Sequence, residues 1–181
     1  MDAALGLFVA KGIAATSIDE IVAAAGVSKG GFYHHFASKD ALLNALQERY
    51  ITGFLSILVE AQSALPETDW RGRMNVWLKT GIETFFKELP IHDVVFHEFI
   101  PADRKDINQN PVIDHMEAFL RAGTSAGAWT ADHPRLLAVM LFNALHGACD
   151  AVVISPELID RAGLIDTLQD FFWRAVSPRE K

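Results

Sequence analysis

The residues Ser28-Lys29-Gly30-Gly31-Phe32-Tyr33-His34-His35 gather hydrogen-bond donors along a short segment with one apolar anchor. A lysine or an imidazole can donate to guanine N7 or O6, and hydroxyls and ammonium groups suit phosphate oxygens. Gly30 and Gly31 read nothing themselves, but without side chains they let a helix approach a groove closely. The chemistry this pattern suggests is recognition of a duplex. With no arginine in the segment, base readout is expected to be modest and DNA shape to contribute.

Other residues invite different chemistry. His92, Asp93, His97, Glu98, Asp114, His115, His146 and Asp150 are all metal-ligand types. His92 and His97 are five apart, a poor spacing for one helix face, while His146 and Asp150 are four apart and share one. There is no HExxH-type motif and no cysteine cluster, so neither a metal nor a cofactor is expected. Cys149 stands in an apolar stretch beside Asp150, which raises a thiol pKa instead of activating it. No G-x-S-x-G elbow or phosphate-cradling loop occurs, so an enzyme is not expected. A third set, Trp77, Phe96, His97, His115, Phe119, Asn143 and His146, mixes large apolar side chains with a few polar ones. That is the composition of a small-molecule pocket.

The elements that must position these groups read as helices throughout, because apolar residues recur at spacings of three and four. Asp2 to Lys11 is a short helix closed by Gly12. Ser17-Ile18-Asp19-Glu20 is a capping box opening a second helix to Ala25. Gly26 makes a turn, Ser28 caps a third helix to Phe36, and Ser38 caps a long fourth from Lys39 to Ala64. Beneath the turn, Ile18, Ile21, Val22, Ala25, Val27, Phe32 and Phe36 are expected to form a small core. Later helices are read over 70–88, 91–100, from Pro111, from a cap at Asp132 to Ile154, and from a cap at Ser155-Pro156-Glu157 to Val176. The expected fold class is all-α, with about nine helices. Residues 1–45 form a three-helix helix-turn-helix domain and residues 46–181 a larger helical ligand-binding and dimerisation domain.

Bulk composition agrees. Of 181 residues, 50% are hydrophobic, which favours a packed core over disorder. The net charge of −7 argues against indiscriminate nucleic-acid binding. Most of that charge lies beyond residue 50, since the first fifty residues carry four basic and five acidic side chains. With one cysteine no internal disulfide can form, and no signal peptide is evident, so a cytoplasmic location is expected. Leu136 to Ile154 is apolar but holds Asn143, His146 and Asp150, and reads as a buried helix and not a membrane span. Leu158, Ala162, Ile165, Leu168, Phe172 and Ala175 form a stripe on the last helix. The helix before it is apolar nearly all round, which calls for a further buried surface and hence a homodimer.

Three segments together carry a family resemblance. They are Ala14-Ala15-Thr16-Ser17-Ile18; Ala24-Ala25-Gly26-Val27-Ser28-Lys29-Gly30-Gly31-Phe32-Tyr33-His34-His35-Phe36; and Ser38-Lys39-Asp40-Ala41-Leu42-Leu43. With Ala3 to Phe8 and Lys11-Gly12, they resemble the DNA-binding domain of the TetR family over the first 45 or so residues. The resemblance implies that Ser17, Tyr33 and Lys39 meet the DNA backbone and that Lys29, Gly31 and His34 face base edges, with Ser28, Gly30 and His35 beside them. It implies a homodimer through the last two helices on a palindromic operator of double-stranded DNA, usually as a repressor released by a small-molecule effector. The family's basic segment before the first helix has no counterpart ahead of Asp2. The competing expectation is a helical binding module without DNA affinity.

Overall fold

A computed structural model describes residues 1–98 and 110–177, the side chains of residues 97 and 98 excepted. Every described element is helical. In chain order they are α1 (Asp2–Lys11), α2 (Ile18–Ala25), α3 (Lys29–His35), α4 (Lys39–Ser63), α5 (Trp70–Lys87), α6 (Leu89–His92), α7 (Pro111–Ser125), α8 (Pro134–Ile154) and α9 (Arg161–Val176). A π-helical stretch, Asp93–Glu98, follows α6 directly.

The chain divides into two compact units, Met1–Gly53 with Glu88–Asp106, and Phe54–Lys87 with Ile107–Lys181. The first is built on Phe8, Ile21, Val22, Phe32, Leu42, Leu43 and Leu46, with Val94 and Val95 from the π-helical stretch. Each such side chain contributes about 1.5–3 kcal/mol by leaving water. Two expected core members are absent: Ala25 is exposed and Val27 is 50% exposed. Both lie at the turn, where the chain bends outward around Gly26 and cannot reach the core. Ile18 and Phe36 are half-buried at its margin.

The second unit packs α7 on α8 and α5 on α8 and α9. Its core includes Leu58, Trp77, Leu78, Ile82, Phe85, Met116, Leu120, Leu141, Leu145 and Phe172. Cys149 is buried there, and desolvation, then the Asp150 charge, pushes its thiol up to about 12. Trp129 seals the end of α7. Its indole donates to Leu120 O at 2.9 Å, and its ring lies against Phe119 and Trp70. Gly123 must be glycine for this to happen, since a Cβ there would stand 2.1 Å from the Trp129 ring.

Three expectations are corrected. The cap of α8 is His133, not Asp132, because Pro134 already occupies the first turn. Ser155-Pro156-Glu157 forms only a turn, with Leu158 N bonded to Ser155 O at 3.0 Å, and Asp160 caps α9 through Gly163 N at 2.7 Å. The inward face of α9 is Leu164, Leu168, Phe172 and Val176, so Leu158, Ala162 and Ala175 of the expected stripe point outward.

α8 is long and apolar enough to cross a membrane by length and composition, with a mean hydropathy of 1.8, yet only 28% of that window is buried. It is therefore not the fully buried helix its composition suggested. Leu136, Met140 and Ile154 are exposed on it, and Leu158 just beyond.

Candidate nucleic-acid interface

The turn between α2 and α3 is fixed at both ends by local chemistry. Ser17 Oγ accepts from Glu20 N, and Ser17 N donates to Glu20 Oε2 at 2.8 Å, so the capping box is complete. Lys11 Nζ donates to the other Glu20 oxygen at 2.5 Å. These bonds, with Lys11 the largest cause, lower the Glu20 carboxyl to about 2. α2 ends at Gly26, whose φ of 66° lies in the left-handed region that glycine adopts without strain. Val27 N closes the end by donating to Val22 O at 3.0 Å. Ser28 Oγ then accepts from Gly31 N at 3.0 Å and starts α3.

Phe32 is the buried pin of α3, and its ring meets Tyr33 edge-on and Phe36 at a tilt. The rest of the helix faces solvent: Ser28, Lys29, Gly30, His34 and His35 are exposed, Gly31 is half-buried, and Tyr33 is 49% exposed. The His34 and His35 rings stand edge to face at 5.1 Å. Around its exposed sides a capped seven-residue helix thus presents a lysine, a phenol and two imidazoles, the donor types that read and grip a duplex.

Two of the candidate cations are already engaged. Lys29 Nζ lies 2.8 Å from Asp19 Oδ1 in α2, and the Asp19 hydrogen bond raises the Lys29 pKa. Lys39 is half-buried and donates to Ile13 O at 2.8 Å and Thr16 O at 3.1 Å, tying the head of α4 to the loop before α2. An ammonium has three protons, so one remains for a phosphate. Sequence reasoning named both lysines but not Asp19; its position ten residues before Lys29 spans a turn, and only the folded geometry joins them.

The pocket candidates are distributed over the two units. Phe96 packs against Tyr50 and His92 in the first unit. Trp77, His115, Phe119, Asn143 and His146 belong to the second unit. Asn143 is exposed and bonds back to Val139 O at 2.7 Å. His146 stacks near Phe142 and Phe85. His115 Nε2 lies 2.7 Å from Gln62 Oε1, and Gln62 Nε2 donates to Arg73 O at 3.2 Å. Burial, then the Arg73 charge, lowers the His115 pKa. The His97 side chain lies outside the described residues. A groove of about 490 Å³ runs between α5 and α9, lined by Lys79, Glu83, Arg161 and Gln169 among others, and includes none of these candidates. Among the described residues no cluster suited to a metal is found. Sequence reasoning missed Gln62 and Arg73, polar groups that only folding places beside His115.

An all-helical chain whose N-terminal unit presents a capped helix-turn-helix defines the class: a helix-turn-helix protein with a helical companion unit. Its N-terminal segment is a TetR-family DNA-binding domain. Residues 1–46 match the family described as bacterial regulatory proteins, tetR family. The chain is 58% identical over 45 residues to the uncharacterized HTH-type transcriptional regulator YerO of Bacillus subtilis, covering 25% of this chain and 16% of that protein. It is 30% identical over 140 residues to the uncharacterized HTH-type transcriptional regulator YuxN of the same species, covering 73% of this chain and 47% of that one. The chain thus spans about half or less of these curated relatives. Its fold is shared by the transcriptional regulator FadR of Bacillus subtilis, determined in complex with stearoyl-CoA, at a TM-score of 0.78 and 18% identity over 94% of each chain.

Proposed function

We propose that this protein is a DNA-binding transcriptional regulator, a homodimer that represses from a palindromic operator in the cytoplasm and is released by a small, largely apolar effector. The observation that carries this reading is α3, pinned from beneath by Phe32 and capped by Ser28, with Lys29, Tyr33, His34 and His35 all exposed around it. In this reading residues 1–45 read DNA, and residues 46–181 bind effector and dimerise. Ser17, Tyr33 and Lys39 touch phosphates, while Lys29, Gly31 and His34 face bases.

Two facts support the dimer. Leu136, Met140 and Ile154 follow one face of α8 and leave it largely uncovered, and Phe171 on α9 is exposed as well. Burying these between two copies gives a two-fold axis, which sets two reading helices one DNA turn or a multiple apart. The apolar core of the second unit, with a few polar groups, supports the effector, as does the stearoyl-CoA held by the FadR neighbour. α4 runs from Lys39 to Ser63 through residues of both units, so an effector that shifts it moves the reading head. A coupling of about 1–3 kcal/mol is enough for release.

The test is selection of bound duplexes from a random pool by the full chain, with sedimentation on the same sample. A recovered palindrome and a dimeric mass are expected, and His34→Ala should change the preferred sequence. A monomer at working concentration, or no duplex binding at low ionic strength, overturns the reading.

A further inference from the structure

Most buried donors in the second unit have acceptors. Trp129 Nε1 is bonded to Leu120 O, Gln62 Nε2 to Arg73 O, and the His115 contact to Gln62 Oε1 requires the Nε2–H tautomer. Two donors on α5 differ. The indole Nε1 of Trp77, a residue 2% exposed, is buried without a hydrogen-bond partner among the described residues, and so is Nε of Arg73. Arg73 and Trp77 are four residues apart, one turn on the same side of α5, about 6 Å along its axis.

The surroundings narrow what would satisfy them. Arg73 Nη1 reaches only Glu67 O, at 3.3 Å, and among the described residues no carboxylate pairs with the guanidinium. In place of an anion it lies over two rings, 5.5 Å from Trp70 and 5.4 Å from Phe119. Buried Met74 and Leu78 flank the pair in sequence, and a methionine adapts readily to a new neighbour. A buried donor without an acceptor carries a desolvation penalty, and each one in a native fold calls for a reason.

We propose that Arg73 Nε and Trp77 Nε1 hold the acceptor oxygens of an amphipathic carboxylate, which makes such anions the effector class. The inference rests on the regulator reading above and gives it a chemistry. Both open groups are N–H donors, so the ligand brings acceptors. One belongs to a cation without a counter-ion, so the ligand is anionic. A carboxylate offers two oxygens and one charge, matching two donors and one guanidinium, whereas a phosphate dianion would bury a second charge with no second cation. The Trp70 and Phe119 rings and buried Met74 and Leu78 call for an apolar body, with the His115–Gln62 pair as polar neighbours of Arg73.

The four tryptophans permit a residue-specific test. Full-length protein labelled with ¹⁵N at indole shows one resonance for each, with Trp77→Phe assigning the signal. Decanoate should move the Trp77 indole proton downfield as its hydrogen bond forms, and leave Trp129, already bonded, in place. Decanol and decylammonium should not reproduce the shift. Arg73→Lys keeps the charge but loses Nε and the planar fork, and should weaken decanoate at least about tenfold, with the Trp129 resonance reporting an intact fold. A silent Trp77 at saturating decanoate, an equal response to decanol, or undiminished affinity in Arg73→Lys overturns the inference. Duplex binding is measured on the same sample. Its absence overturns the regulator reading, while a silent indole in a protein that binds duplex overturns this inference alone.

Discussion

The two units differ in how one cation, Arg73, is held. In the first fifty residues every basic side chain has a partner inside the fold. Lys11 meets Glu20 at 2.5 Å, Lys29 meets Asp19 at 2.8 Å, Arg49 meets Asp2 at 2.7 Å, and Lys39 is bonded to two backbone carbonyls. In the second unit Arg121, Arg135 and Arg174 are paired with carboxylates as well, but Arg73 rests on aromatic rings with no carboxylate beside it among the described residues. A head with its cations engaged attracts phosphate weakly until the fit is good, which favours a matching operator over bulk DNA. A cation left on rings waits for an anion of another kind.

The largest way to break this comparison is on the aromatic side. Gly123→Ala would drive a methyl group into the Trp129 ring, and about 2–3 kcal/mol of stability should be lost. Urea unfolding followed by tryptophan fluorescence checks this, because Trp70, Trp77, Trp129 and Trp173 all lie in the second unit. On the other side, Lys39→Ala removes the bonds to the Ile13 and Thr16 carbonyls, of which Ile13 O keeps its bond from Thr16 N at 3.2 Å. About 2 kcal/mol should be lost, with weaker binding to every duplex alike. Unchanged stability in that variant would mean the two bonds do not hold the head together.

Acid sharpens the contrast. His115 has a lowered pKa in the folded second unit, so its unfolded imidazole takes up protons first. That unit should begin to lose stability as the pH falls below about 6.5 and go on losing it through the folded value. Glu20 behaves alike at lower pH: its contribution to the head is complete above the unfolded carboxyl value and is lost as the pH falls toward about 2. Tryptophan fluorescence should therefore change at higher pH than the circular dichroism of the head helices, and Glu20→Gln should flatten the lower limb only. The smallest effect is expected from Asp19→Asn, which frees Lys29. The slope of log affinity against log salt should steepen by about 1 as one more phosphate is neutralised.

The head was legible because its signals are local. Ser17 with Glu20, Gly26, and Ser28 each act within a few residues of themselves, and all three do in the fold what their spacing announces. The second unit was legible as helices but less so in detail. Ser155-Pro156-Glu157 has the composition of a cap, yet Asp160 is the residue that starts α9, since both sites carry an oxygen acceptor and only packing of Leu164 chooses between them. No residue pattern marks the π-helical stretch at Asp93–Glu98. Trp77 could be named as a large side chain in the middle of the chain, but whether its N–H finds an acceptor depends on α5's neighbours, which no single segment encodes.

The buried thiol of Cys149 gives α8 a clock. Held as a neutral, inaccessible group, it is closed to oxidants and alkylating reagents while the helix stays packed. Its rate of labelling therefore counts how often that part of the chain opens, and a ligand that steadies the unit would slow the count without touching the sulfur.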